Sequence, residues 1–332
     1  MNPLTIFGPE YNPRQLSPYE EKAGNNVFSQ CFNARKGEKI LIVTDEAKKD
    51  TEAAIFFQTA KKFTDQVTLA VIPPLPHHGA EPPPDLTSLL LQQNIVLLVT
   101  TFSLSHTYAR KQASDSGVRI ASLPGISKEI ITRTLNIDYS QVAHLAKRIA
   151  GLLTMADRAR LTTPTGTDVS FSLAGRQGWA DTGLFTNPGD FGNLPAGEAF
   201  TAPVEGQTRG VAIFDGAFGD MVIDEPIKVT FSAGQASKIE GGTGAKNLEI
   251  MLNSLGQNTR SVAELGVGTN KNAKLESSLV EVEKVYGTCH IAIGNNKHIG
   301  GQIDAPYHAD GVILKPTLIL DDKIVVKDGQ FV

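Results

Sequence analysis

The residues best suited to chemistry in this chain are carboxylates and imidazoles set among glycine, alanine and proline. They occur in four segments: residues 193–203 (NLPAGEAFTAP), 261–270 (SVAELGVGTN), 287–295 (GTCHIAIGN) and 305–316 (APYHADGVILKP). His308 and Asp310 are one residue apart. On an extended chain their side chains fall on one face and reach a common centre. His290 lies in an alternating stretch where it shares a face with Ala292 and Gly294, small residues that leave room for a cation and its water. Glu264 ends an apolar run ahead of Gly266 and Gly268, and Glu198 sits in a Pro-Ala-Gly-Glu turn that delivers a carboxylate. Oxygen and nitrogen donors without thiolate suit Zn²⁺, Co²⁺, Mn²⁺ or Fe²⁺. Each residue alone has a plainer reading. His-x-Asp occurs by chance, a lone histidine is commonly a hydrogen-bonded core residue, and lone glutamates are solvated or cap loops. Cys289 should face away from His290 and pack as a small hydrophobe. His77 and His78 belong to a proline-rich surface loop, and His298 has no supporting pattern.

The elements that must position these residues fall into two halves. Residues 39–44 (KILIVT), 67–72, 95–100 and 118–123 are short apolar runs rich in β-branched residues, and helical spacing follows at 48–63 and 86–92. Near-continuous apolar strands alternating with helices imply a doubly wound parallel sheet covered on both faces. The G-x-G-x-x-G of a dinucleotide site is missing after KILIVT, which disfavours an NAD enzyme. Residues 138–155 read as a helix, with Val142, Leu145, Ile149, Leu152 and Leu153 on one stripe. Beyond it, strand-like alternation punctuated by glycine takes over, at 168–173, 210–214 and 227–231. The expected architecture is α/β: a Rossmann-like domain over residues 1–155, then a β-rich α+β metal-binding domain over 156–332. GGTGAK at 241–246 lacks the spacing of a phosphate loop, and no G-x-S-x-G marks a serine nucleophile.

Composition narrows the function classes. The chain has 332 residues, about twice the usual length of one domain. Its 31 basic and 35 acidic residues give a net charge of −4, which argues against nucleic acid or an acidic membrane as partner. Two distant cysteines, Cys31 and Cys289, exclude a disulfide framework and point to a reducing compartment. No signal-like or membrane-length apolar segment is present, so a soluble cytoplasmic protein is expected.

Together and in order, NLPAGEAFTAP, AELGVGTN, GTCHIAIGN and HADGVILKP resemble the metal-dependent aminopeptidases of the aminopeptidase T family, peptidase family M29. The resemblance covers the second domain, and the α/β first domain is compatible with it. It implies a homodimer with two divalent metals (Zn, Co or Mn). Glu198 then matches a ligand of one metal, Glu264 the bridging carboxylate and His290 a ligand of the second, while His308 and Asp310 give one ligand to each. Two departures stand out. The family's catalytic tyrosine, seven positions after the third segment's histidine, is Lys297 here, and the stretch from His290 to His308 is shorter. The iron-dependent 2,5-dihydroxypyridine dioxygenase is related in fold. It looks similar around His-x-Asp and lacks the glutamate equivalent to Glu198.

The implied enzyme is a metalloaminopeptidase that releases N-terminal residues from peptides or similar small amides. Its metals share a water whose pKa falls from 15.7 toward about 7. Glu198 is the carboxylate expected to shuttle the proton, and Lys297 is expected to stabilise the oxyanion in place of the tyrosine. The plainer reading of Lys297 is a surface-loop lysine. Two alternatives stay open. One is a mononuclear Fe(II) ring-cleaving dioxygenase of a dihydroxypyridine-like substrate, with His308, Asp310 and either Glu264 or His290 as ligands. The other is a non-catalytic metal-binding relative.

Overall fold

A computed structural model describes residues 4–219, 221, 223–275 and 279–332. The chain divides into two compact units, Met1–Gln141 with Gly183–Ala196 and Val142–Thr182 with Gly197–Val332. The boundary expected at 155/156 lies at the C-terminal end of the helix Tyr139–Met155, whereas the units divide near its N-terminal end.

The first unit is built on a parallel sheet. Its strands run in the spatial order Val67–Ile72, Ile40–Asp45, Ile95–Val99, Arg119–Ser122 and Phe191–Asn193, with Thr5–Phe7 added antiparallel at the edge. Every residue of Ile40–Asp45 and Ile95–Val99 is buried, as a sheet covered on both faces requires. The helices Glu52–Ala60, Pro84–Leu90 and Tyr108–Asp115 alternate with these strands. The doubly wound arrangement read from the apolar runs is present. Phe191–Asn193 has only three residues, too short for periodicity to reveal. At the helix Pro18–Asn26, Ser17 and Glu20 form a reciprocal capping box, and Glu20 also holds Arg14 at 2.7 Å.

The second unit contains two antiparallel sheets among the described residues. One has the order Ala217–Phe218, His308–Ile313, Cys289–Gly294, Val262–Gly268, Glu198–Thr201, Gly178–Asp181. The other has eight strands, with Arg209–Phe214, Asp168–Ser172 and Arg158–Thr162 at its middle. Both contribute to one apolar core: Val169, Phe171 and Phe214 from the eight-stranded sheet, and Leu265, Val267, Cys289, Ile291, Ile293 and Ile313 from the six-stranded one. Strand alternation then sends the intervening residues of the six-stranded sheet to its other face. The GGTGAK run opens the helix Thr243–Leu255, where the Asp224 carboxylate accepts hydrogen bonds from the Thr243 and Gly244 amides at 2.9 and 3.1 Å. That helix start is capped from within the chain. No described helix is long and apolar enough to cross a membrane.

Candidate metal centre

The strand register assembles the candidate ligands. Glu198 pairs with Gly268, Gly266 with His290, Glu264 with Ala292, Ala292 with Asp310, and Gly294 with His308. Directly opposed residues of antiparallel strands point to the same face. Glu198, Glu264, His290, His308 and Asp310 therefore share the face turned away from the core, on a floor of Gly266, Gly268, Ala292 and Gly294. A β-bulge assists: Val262 opposes Ile293 and Glu264 opposes Ala292, so one extra residue, Ala263, interrupts the ladder. The bulge lets Val262 pack in the core while Glu264, two residues on, faces the site. Cys289 is fully buried in the core, on the opposite side from His290 as expected.

The ligand atoms form two overlapping groups that share Glu264: Glu198 with Glu264 and His290, and Glu264 with His308 and Asp310. His290 Nε2 lies 3.2 Å from Glu264 Oε1, 3.3 Å from Glu198 Oε2 and 3.9 Å from Asp310 Oδ1. His308 Nε2 lies 3.7 Å from Glu264 Oε2 and 3.8 Å from Asp310 Oδ1. The His308 Nδ1–H donates to the Asn295 carbonyl at 2.7 Å. That bond fixes the ring with Nε2 toward the carboxylates, the usual arrangement behind an imidazole that binds a metal through Nε2 once deprotonated there. Gly266 makes room for the other ring, since a Cβ there would stand 1.9 Å from His290 Nε2.

Among the described residues, three further charged groups adjoin the site, and sequence reasoning missed them. The ammonium of Lys284, whose side chain is 2% exposed, lies 2.5 Å from Glu198 Oε1, 2.5 Å from Glu283 Oε1 and 3.5 Å from Asp181 Oδ2. In the sequence VEVEKVYG, Glu283 and Lys284 look like a solvated charge run, and nothing in their spacing marks them. Asp181 is opposite Glu198 on the neighbouring strand, a relation that only the register discloses. Lys297 is exposed, with its ammonium 2.7 Å from Asp304. It is not drawn into the group of five. His77 and His78 are exposed, as expected for their loop.

The electrostatics call for cations. Counted with both imidazoles neutral, as metal ligands must be, and every carboxylate ionised, five described carboxylates (Glu198, Glu264, Asp310, Glu283, Asp181) and one ammonium (Lys284) carry a formal charge of −5 + 1 = −4. Burial of such charge is costly unless it is compensated. The titrating groups show the strain. Burial raises Glu198 to about 7 against the pull of Lys284 and His290. Burial works against charged His290, yet its Glu264 hydrogen bond and the nearby carboxylates raise it to about 9. His308 is raised to about 10, again against burial, by Asp310 and Glu264. Asp310 is held far below the carboxylate range because His308 outweighs its burial. Glu198 Oε2 and Asp310 Oδ1 are buried without a hydrogen-bond partner. Buried acceptors of this kind, beside two imidazoles and with no thiolate, fit one or two divalent cations of the Zn, Co, Mn or Fe type.

A profile of the NicX family, 2,5-dihydroxypyridine 5,6-dioxygenase, matches residues 22–332. The chain belongs to that family. It is 25% identical over 252 residues to the 2,5-dihydroxypyridine 5,6-dioxygenase of Pseudomonas putida, covering 71% of each chain. The structure of 2,5-dihydroxypyridine dioxygenase from Pseudomonas putida KT2440 superposes with a TM-score of 0.82 at 19% identity, covering 96% of this chain and 98% of that one. AmpT from Thermus thermophilus superposes with a TM-score of 0.72 at 16% identity, covering 95% and 99%. The likeness to aminopeptidase T thus holds for the fold. The family is the one that the sequence reading placed second. Four ligand segments carried the aminopeptidase resemblance, whereas the family match extends over nearly the whole chain.

Proposed function

We propose that this protein is a two-cation metallohydrolase that acts on the free amino end of a peptide or a similar small amide. The observation that carries this reading is the pair of ligand groups sharing Glu264, within a largely buried set of groups whose formal charge, with neutral imidazoles, is −4. Two divalent ions match that formal charge once both imidazoles bind as neutral ligands, and one leaves half of it. When bound, such ions lower the pKa of a shared water toward about 7 and polarise an amide carbonyl. The chain's own residues do the rest. Glu264 offers one oxygen to each group, and the Asn295 carbonyl orients His308 so that Nε2 faces the site. Glu198 keeps Oε1 on Lys284 and turns Oε2 inward. Glu198 Oε2, 3.3 Å from His290 Nε2, is thereby left as the oxygen that this group offers to its ion.

Membership of the dioxygenase family favours a second reading, ring cleavage of a dihydroxypyridine-like compound with one Fe(II) held by His308, Asp310 and either Glu264 or His290. One experiment separates the two. Purified protein is loaded with Co²⁺, Zn²⁺ or Mn²⁺, or with Fe²⁺ under anaerobic conditions. It is then assayed for hydrolysis of aminoacyl-p-nitroanilides and for oxygen uptake with 2,5-dihydroxypyridine. Amide hydrolysis that is lost on chelation and in Glu264→Ala supports the first reading. Oxygen uptake with one iron per chain and no hydrolysis replaces it with the second.

A further inference from the structure

Lys284 is the buried group that the hydrolytic reading leaves without a task. Its ammonium divides Glu198 in two: Oε1 is held at 2.5 Å, and only Oε2, 3.3 Å from His290 Nε2, remains for a metal. Glu264 is not divided in this way. Its Oε1 faces His290 at 3.2 Å, and its Oε2 faces His308 at 3.7 Å. Only the first group has an ammonium in hydrogen-bond contact with one of its ligands, with Glu283 and Asp181 as that ammonium's other partners.

That difference has a direction. An ammonium hydrogen-bonded to a carboxylate draws on the charge that the carboxylate can offer a metal and limits it to one oxygen. It also repels a divalent ion a few ångströms away, strongly so in a site shielded from water. Glu283, at 2.5 Å, and Asp181, at 3.5 Å, also hold the ammonium beside Glu198. The other group carries no such burden. Its His308 is already oriented by the Asn295 carbonyl, and Asp310 Oδ1 is buried and unbonded.

We propose that Lys284 makes the Glu198–Glu264–His290 group the weaker of two cation sites, filled second and emptied first, while Glu264, His308 and Asp310 hold their ion tightly. This rests on the two-cation reading above. Lys284 is a positioning residue on this account, since it acts on the metal only through Glu198.

The test is a calorimetric titration of the metal-stripped full-length protein with Zn²⁺, with bound metal counted after dialysis. Wild type should take up two ions in two steps, the second at least tenfold weaker. Lys284→Met should narrow that gap tenfold or more, and Lys284→Arg should preserve it. Glu198→Gln should abolish the weak step and spare the tight one. If Lys284→Met does not fold, the order of the steps in wild type and the step lost in Glu198→Gln still decide. Two equal steps in wild type, a gap unchanged or widened in a folded Lys284→Met, or loss of the tight step in Glu198→Gln would each overturn the proposal and leave two-cation binding intact. Uptake of a single ion by wild type at saturating Zn²⁺ would overturn the two-cation reading itself.

Discussion

Replacing Gly266 with alanine should disable one ligand and leave the others in place. The added methyl group would stand 1.9 Å from His290 Nε2, 2.2 Å from Cε1 and 2.7 Å from Cδ2. Ordinary contact begins at 3.4 Å, so the ring must withdraw by 3.4 − 1.9 = 1.5 Å. Ligand distances tolerate changes of only about 0.2 Å, so His290 would cease to be a ligand. The affinity of the cation step that needs His290 should fall roughly 10- to 100-fold, as it does when ligand orientation is lost. The step that uses Glu264, His308 and Asp310 should keep its affinity, since none of these three packs on residue 266 at such a distance. Forcing a methyl group into a filled site should also cost the cation-free protein roughly 1–3 kcal/mol. Cation titration and thermal unfolding of the stripped protein read these effects separately. A Gly266→Ala variant with wild-type affinity in both steps would refute the placement of His290 over the glycine floor.

Three further outcomes are expected. Glu20 is buried, and Arg14 and Ser17 hold its pKa near 2 despite that burial, below the ordinary 4.5. A lowered folded pKa gives stability that is present above about pH 4.5 and is lost as pH falls toward 2. Glu20→Gln should therefore cost the first unit about 2–3 kcal/mol at pH 7, a difference that shrinks toward zero in unfolding measured at decreasing pH. Lys297 is engaged with exposed Asp304, so Lys297→Ala should leave both cation count and turnover unchanged, whereas a fall in kcat at constant KM would restore its expected role at the oxyanion. Cations bind only the folded site, so adding them to 100 times their dissociation constant should stabilise the protein by about 2.7 kcal/mol, and a chelator should reverse the rise in Tm. A Tm indifferent to both would contradict the charge balance at the site.

The parts of the fold legible in the sequence are those that one chain segment expresses alone. The runs at 39–44 and 95–100 announce buried parallel strands because a sheet covered on both faces admits only apolar residues. His290, Ala292 and Gly294 on one face, and His308 with Asp310, follow from the two-residue repeat of a strand. What required the structure is pairwise. Asp181 meets Glu198 only through the register of two strands, and Lys284 meets both across more than a hundred residues of separation from Asp181. The bulge at Ala263, which reconciles a core-facing Val262 with a site-facing Glu264, has no glycine or proline to announce it. Lys297 was judged by its position after His290, and its partner Asp304 lies on the intervening loop. Ligand segments alone did not rank two families that share a fold, because this chain's acidic and histidine donors suit either reading.

The most direct test of the central claim is an anomalous difference map from crystals of the Co²⁺-loaded protein. Two peaks, one on each side of Glu264, with Glu198 and His290 at one and His308 and Asp310 at the other, are the expected result. A single peak held by His308 and Asp310 under saturating Co²⁺, with Lys284 still on Glu198, would contradict it.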